Sequence, residues 1–262
     1  MKSLCVRPSF TLSTHMMRTS ILFTIISLAA ATFVNADEKL LHDAEVSRGV
    51  LSANGIEWTV QGKSTSKGET TTAKLIVKAQ GPHALATLVE PDTSAGKQYL
   101  LSNGEMYFFR PGAKRAVKVP KRQRVTGDAS IGDLASASFL DEYQIAGTTT
   151  EKLGDEECTV FELKAKPVSR PSYSEIKIWV SNSARVSRQA HFFAASGKHL
   201  RTAKYEHNSK VTVGGKSIPF LSKLTVEELL GTPKTTTLTY TGYKFKAFPA
   251  STFDVVSMGA GT

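Results

Sequence analysis

Cysteine is nearly absent from this chain: Cys5 and Cys158 are the two in 262 residues. Cys5 precedes the one long apolar run, so a processed chain keeps a lone thiol, which excludes an internal disulfide and leaves the fold to its core. Flanked by Thr159, Val160 and Phe161, Cys158 reads as a buried strand residue, and no histidine stands beside it to make a nucleophile. His42, His83, His191, His199 and His207 never fall at the two-to-five-residue spacing of a ligand pair, so no metal site is predicted. The G-x-S-x-G, H-E-x-x-H and P-loop signatures are missing too, which removes the common hydrolase and nucleotide-binding readings. No catalytic residue and no cofactor are assigned, and no Pro/Gly/Ser-rich linker divides the chain.

The apolar run is Ile21 to Val34 (ILFTIISLAAATFV), preceded by Arg18 and followed by Asn35, Ala36 and Asp37. Its length and its small-residue border describe a secretory signal peptide cleaved after Ala36, and it is too short for a membrane span. The expected organisation is a signal peptide over 1–36 and one domain over 37–262. No cysteine stands at the cut to carry a lipid, so the expected product is a soluble periplasmic protein. The formal net charge of +10 for the whole chain, +7 once Lys2, Arg7 and Arg18 leave with the first 36 residues, suits contact with an anionic membrane face or an acidic partner.

After the cut, Leu40, Leu41 and Ala44 form the apolar stripe of a helix that Asp37 caps and Gly49 stops. The period then changes to two. Segments 57–62 and 72–78 alternate about the polar turn KSTSKGETT and predict a hairpin. Further alternating segments at 84–89, 98–101, 105–109, 116–119, 144–149, 159–164, 174–180, 188–193, 199–207, 220–229 and 235–245 are parted by turn-formers such as Ser102-Asn103-Gly104, Ser196-Gly197 and Gly214-Gly215. Many short antiparallel strands at this spacing predict one large curved sheet or barrel. Ser130-Ile131-Gly132-Asp133 has the form of a capping box, with a short helix expected over 134–140.

Met106 to Arg124 (MYFFRPGAKRAVKVPKRQR) holds seven basic residues and no acidic one. A Pro-Gly turn at its centre makes it a basic hairpin, with Arg110, Lys114, Arg115 and Lys118 as candidates for contact with lipid headgroups or an acidic partner. A signal peptide is incompatible with a nucleic-acid reading of these charges.

Several segments in order resemble the outer membrane lipoprotein-sorting proteins of the LolA-like superfamily: "DAEVSRG" at 43–49, "GEMYFFRPGAKRAVKV" at 104–119, "QRVTGDASIGDLA" at 123–135, "YSEIKIWV" at 173–180, "SGKHLRTAKY" at 196–205, and the closing "TTTLTYTGYKFKAFPASTFD" at 235–254. The resemblance implies a mainly β (α+β) fold, an unclosed β-barrel with short helices against its concave face. It also implies periplasmic carriage of lipoprotein acyl chains or lipids in a hydrophobic cavity towards the outer membrane, and transient membrane contact. Strand aromatics and aliphatics would line that cavity: Trp58, Leu75, Val77, Leu88, Tyr107, Phe109, Trp179, Phe192 and Leu238. The lid-locking arginine of the carriers in this superfamily has no unique counterpart, with Arg48 a candidate by location. The alternative is a non-catalytic envelope adaptor that docks on an RND-type exporter through its basic hairpin.

Overall fold

The computed structural model describes residues 36–49, 54–120, 124–126, 129–130, 138–167, 169, 171–213 and 215–258. The chain divides into two compact units, Met1–Glu38 and Lys39–Thr262. Of the first unit, only the start of helix α1 (36–46) is described; the rest of α1 opens the second.

The second unit is built on strands β1 (Ile56–Ser66), β2 (Glu69–Gln80), β3 (His83–Glu90), β4 (Gln98–Ser102), β5 (Glu105–Phe109) and β6 (Val117–Val119), then, after a short two-stranded sheet of β7 (Arg124–Thr126) and β8 (Ala129–Ser130), helix α2 (Phe139–Glu142). There follow β9 (Tyr143–Leu153), β10 (Glu156–Ala165), β11 (Glu175–Ser181), β12 (Ser187–Phe193), β13 (His199–Glu206), the hairpin β14 (Ser209–Val213) and β15 (Lys216–Phe220), β16 (Lys223–Glu228) and β17 (Lys234–Phe245). Thirteen strands form one sheet in the order β6-β5-β4-β3-β2-β1-β17-β16-β13-β12-β11-β10-β9, with β14–β15 and β7–β8 as two-stranded additions. The end strands β6 and β9 do not pair, so the sheet is antiparallel throughout and unclosed.

Strict alternation sorts side chains between two faces. On one face Trp58, Val60, Leu75, Val77, Met106, Phe161, Ile178, Phe192, Tyr205, Leu224, Leu238 and Tyr240 join Leu40, Leu41 and Ala44 of α1 in a single buried cluster. This is the inner face. On the other, Leu85 and Leu100 pack with Phe253 from a 3₁₀ turn near the C-terminus, and Cys158 and Val160 pack with Trp179. The Cys158 thiol is therefore buried in a strand as expected, and burial pushes its pKa up.

The alternating segments are strands, with two differences. Segment 220–229 is interrupted: Phe220 ends β15 and Lys223 begins β16, and β14 and β15 form a small extra hairpin outside the main sheet. Ser130 closes β8, residues 131–137 of the expected capping box and helix lie outside the described residues, and the helical turn that is described starts after Ser138, whose hydroxyl accepts from the Asp141 amide at 3.1 Å.

Candidate functional site

Beneath α1 the apolar inner face runs across the sheet, and its polar contacts gather where α1 ends and α2 begins. Glu45, fully buried near the end of α1, accepts from the Phe139 amide, from the Leu140 amide at 3.1 Å and from the Ser138 hydroxyl at 3.1 Å. A carboxylate on the first amides of α2 satisfies donors that a helix leaves without internal partners. Arg48 follows three residues on, its guanidinium 3.9 Å from the Glu45 carboxylate and 4.4 Å from the centre of the Phe139 ring. Burial raises the pKa of Glu45, while Arg48 and the three donors act against that.

The far end of α2 is held from a different loop. Lys166 donates through its side chain to the Leu140 carbonyl at 2.7 Å and through its amide to the Glu142 carbonyl at 2.9 Å, and the Ser169 hydroxyl reaches the same Glu142 carbonyl at 2.7 Å. Between these fastenings Phe139 enters the apolar cluster and stands edge-on to Tyr143, whose hydroxyl donates to the Tyr173 carbonyl. The Tyr173 ring in turn lies 4.6 Å from Phe192 and 5.6 Å from the Arg201 guanidinium, which pairs with Glu228 at 3.0 Å. A four-residue helical turn is thus pinned over the inner face by side chains from α1 and from the loop that follows β10.

Just past the same end of α1 the Ser47 hydroxyl donates to the Ala44 carbonyl and lies 3.1 Å from Nε2 of His207. Burial, followed by the charges of Arg188 and Arg48, holds the His207 pKa down to about 3, so the ring is neutral.

Of the nine lining candidates, Trp58, Leu75, Val77, Leu88, Phe192 and Leu238 share the inner cluster. Tyr107 and Trp179 do not: Tyr107 packs on the outer cluster of Leu85, Leu100 and Phe253, and Trp179 on Cys158 and Val160. Phe109 follows Tyr107 by two residues on β5 and shares the outer side. The correction has a simple cause. Sheet alternation tells which residues share a face, but both faces of these strands carry aromatics, so composition did not say which face α1 covers. The Trp179 indole donates to Glu151 at 2.9 Å under Lys177, a polar setting unlike the inner face.

Of the basic candidates, Arg110, Lys114 and Arg115 are exposed in the β5–β6 turn, whereas Lys118 lies along β6 in an ion pair with Glu105 at 2.9 Å. Arg48, a candidate by location alone, is buried over Phe139. Sequence reasoning missed Glu45, Ser138, Lys166 and Ser169. The available signal was slight: a carboxylate one turn before Gly49, at a position where the apolar stripe of α1 continues.

A wide unclosed antiparallel sheet with helical segments against one face is the LolA-like fold, and solved structures agree. A LolA superfamily protein from Nitrosomonas europaea matches with a TM-score of 0.73 at 23% identity, covering 83% of this chain and 96% of that one. A DUF1329 family protein from Desulfovibrio piger matches with a TM-score of 0.69 at 14% identity, covering 84% and 98% respectively. A domain described as outer membrane lipoprotein-sorting, from Vibrio parahaemolyticus, matches with a TM-score of 0.68 at 17% identity, covering 83% and 97%. A search of curated proteins finds no match. A family model described as uncharacterized-protein-like matches residues 81–259, more than half of the chain, and the chain belongs to that family.

Proposed function

We propose that the protein is a periplasmic carrier of acyl chains, of lipoproteins or of lipids, which it holds between the inner face of its sheet and the helical segments that cover it. One observation carries the reading. An apolar face shared by most of the strands is covered by α1 and by a helical turn, α2, that hangs on a few polar contacts. Releasing those contacts would expose apolar surface, and each methylene of an acyl chain buried in return contributes about 0.8 kcal/mol. Trp58, Leu75, Val77, Leu88, Phe192 and Leu238 are the proposed lining.

In this reading the N-terminal segment is a signal peptide cleaved after Ala36, the remaining chain is one lipid-binding domain, and no catalytic step, cofactor or metal takes part. No helix among the described residues is long and apolar enough to cross a membrane. The adaptor alternative rests on the basic hairpin alone, and docking on an RND-type exporter gains nothing from the geometry.

The test is native mass spectrometry of protein expressed with its own N-terminal segment and purified without detergent, before and after organic extraction. Retained acyl species that vanish on extraction are expected. A mass equal to the bare chain, unchanged after incubation with lipid vesicles and with a lipoprotein, would refute carriage.

A further inference from the structure

The antiparallel order assigns every connection to one of two sheet edges. Ser66 pairs with Glu69 and with Lys234, Glu228 with Lys234 and with Arg201, and Phe193 with His199 and with Glu175. Lys74 pairs with Glu90, and Gln98 with Thr87 and with Phe109. The turns β1–β2, β3–β4, β5–β6, β12–β13 and β16–β17, and the β10–β11 connection, therefore share one edge, although far apart in sequence.

That edge is basic. Lys67 stands in the first of these turns, Lys97 in the second, Arg110, Lys114 and Arg115 in the third, and Lys198 in the fourth; all but Lys97 are exposed. Their acidic neighbours are Asp92 and Glu69, and towards β9 the Asp141 and Glu142 carboxylates of α2 end the basic stretch. At the opposite edge the turns 81–82 and 103–104 carry no charge, 154–155 carries Asp155, 182–186 carries Arg185, which is paired with Asp43 at 2.7 Å, the β13–β16 connection carries Lys210 and Lys216, and the segment after β17 carries Lys246 and Asp254. Exposed large apolar residues do not distinguish the edges: Val117 and Leu229 lie at the basic one, Phe245 and Val256 towards the other. Charge does.

We infer that this edge, from β5–β6 across to β12–β13, is the face with which the protein settles on an anionic phospholipid surface. The charges are long, exposed side chains on separate turns, which suits attraction to a surface potential. A protein partner would call for an apolar, aromatic centre from which charges are depleted. Lys118, set in its Glu105 pair along β6, drops out, while Lys67 and Lys198 join, although each is remote in sequence from the basic hairpin. The inference deepens the carrier reading by naming where cargo would be exchanged, yet its readout is independent of cargo.

The experiment is co-sedimentation of the full expressed protein with vesicles of phosphatidylglycerol and phosphatidylcholine, and with phosphatidylcholine alone. Two triple variants carry equal charge changes: Lys67→Gln/Lys114→Gln/Lys198→Gln at the basic edge, and Lys210→Gln/Lys216→Gln/Lys244→Gln elsewhere. Binding of the native chain to anionic vesicles alone is expected. The first triple should weaken it about 100-fold, and the second by less than about tenfold. High salt should release the native chain. Equal losses in the two triples, equal binding to neutral vesicles, or no vesicle binding by the native chain would each overturn the inference. Failure of carriage would show separately, as a missing acyl mass on a protein that still sediments.

Discussion

Glu45 illustrates how much one side chain can decide. It is fully buried, and it is the acceptor for two amides and a hydroxyl of the α2 start while facing Arg48. Glu45→Ala leaves those donors and a buried guanidinium without the carboxylate, so a loss of about 3 kcal/mol is expected from urea unfolding. Glu45→Gln should lose less, because the amide oxygen can still accept. His207 makes a prediction in pH. Its folded pKa, about 3, lies below the ordinary 6.5, so below pH 6.5 the unfolded chain takes up a proton that the folded chain refuses. The stability from this group is whole above pH 6.5 and falls as the pH drops towards 3. The native chain should therefore lose about 3 kcal/mol more than His207→Asn between roughly pH 6.5 and 4, measured by denaturant unfolding at each pH.

At the scale of elements, period-two alternation was enough to find the strands, because a half-buried strand must alternate to bury one face. It was not enough to orient them. Tyr107 and Trp179 alternate as regularly as Met106 and Ile178, and only the position of α1 makes one set inner. Helix α2 was harder still: four residues carry no periodicity, and its ends are satisfied by Glu45, Lys166 and Ser169 from elsewhere in the chain. The entry to β1 depends on Gly55, whose φ of +70° favours glycine and whose missing Cβ would strike the Lys246 carbonyl and lie 2.8 Å from the Gln80 side chain. That Gln80 oxygen accepts from the Phe248 amide, so the clash would disturb the C-terminal segment on the outer face. Gly55→Ala is expected to cost about 2 kcal/mol or more and to lower the thermal midpoint by several degrees.

For the molecule as a whole, the order of the thirteen strands does what no single strand can. It spreads one apolar face under α1 and α2, and it collects basic turns from distant stretches of sequence along one edge. If that edge meets anionic lipid and the inner face holds acyl chains, delivery needs little motion beyond release of α2. Weakening the α2 fastening by Ser169→Ala and Lys166→Met should then speed exchange of a fluorescent fatty acid severalfold, with an unchanged far-ultraviolet spectrum. An unchanged exchange rate would place the entry elsewhere.

By itself the sequence determined the strand content, the burial of Cys158, the early helix and the resemblance to the LolA-like superfamily, since these rest on local period, composition and motif order. Which face of each strand is inner, the seat of α2 on Glu45, and the joining of Lys67 and Lys198 to the basic hairpin were decided by tertiary structure. The physical reason is that pairing partners lie up to most of the chain apart, as Ser66 and Lys234 do, and no local pattern encodes which edge a distant turn will reach.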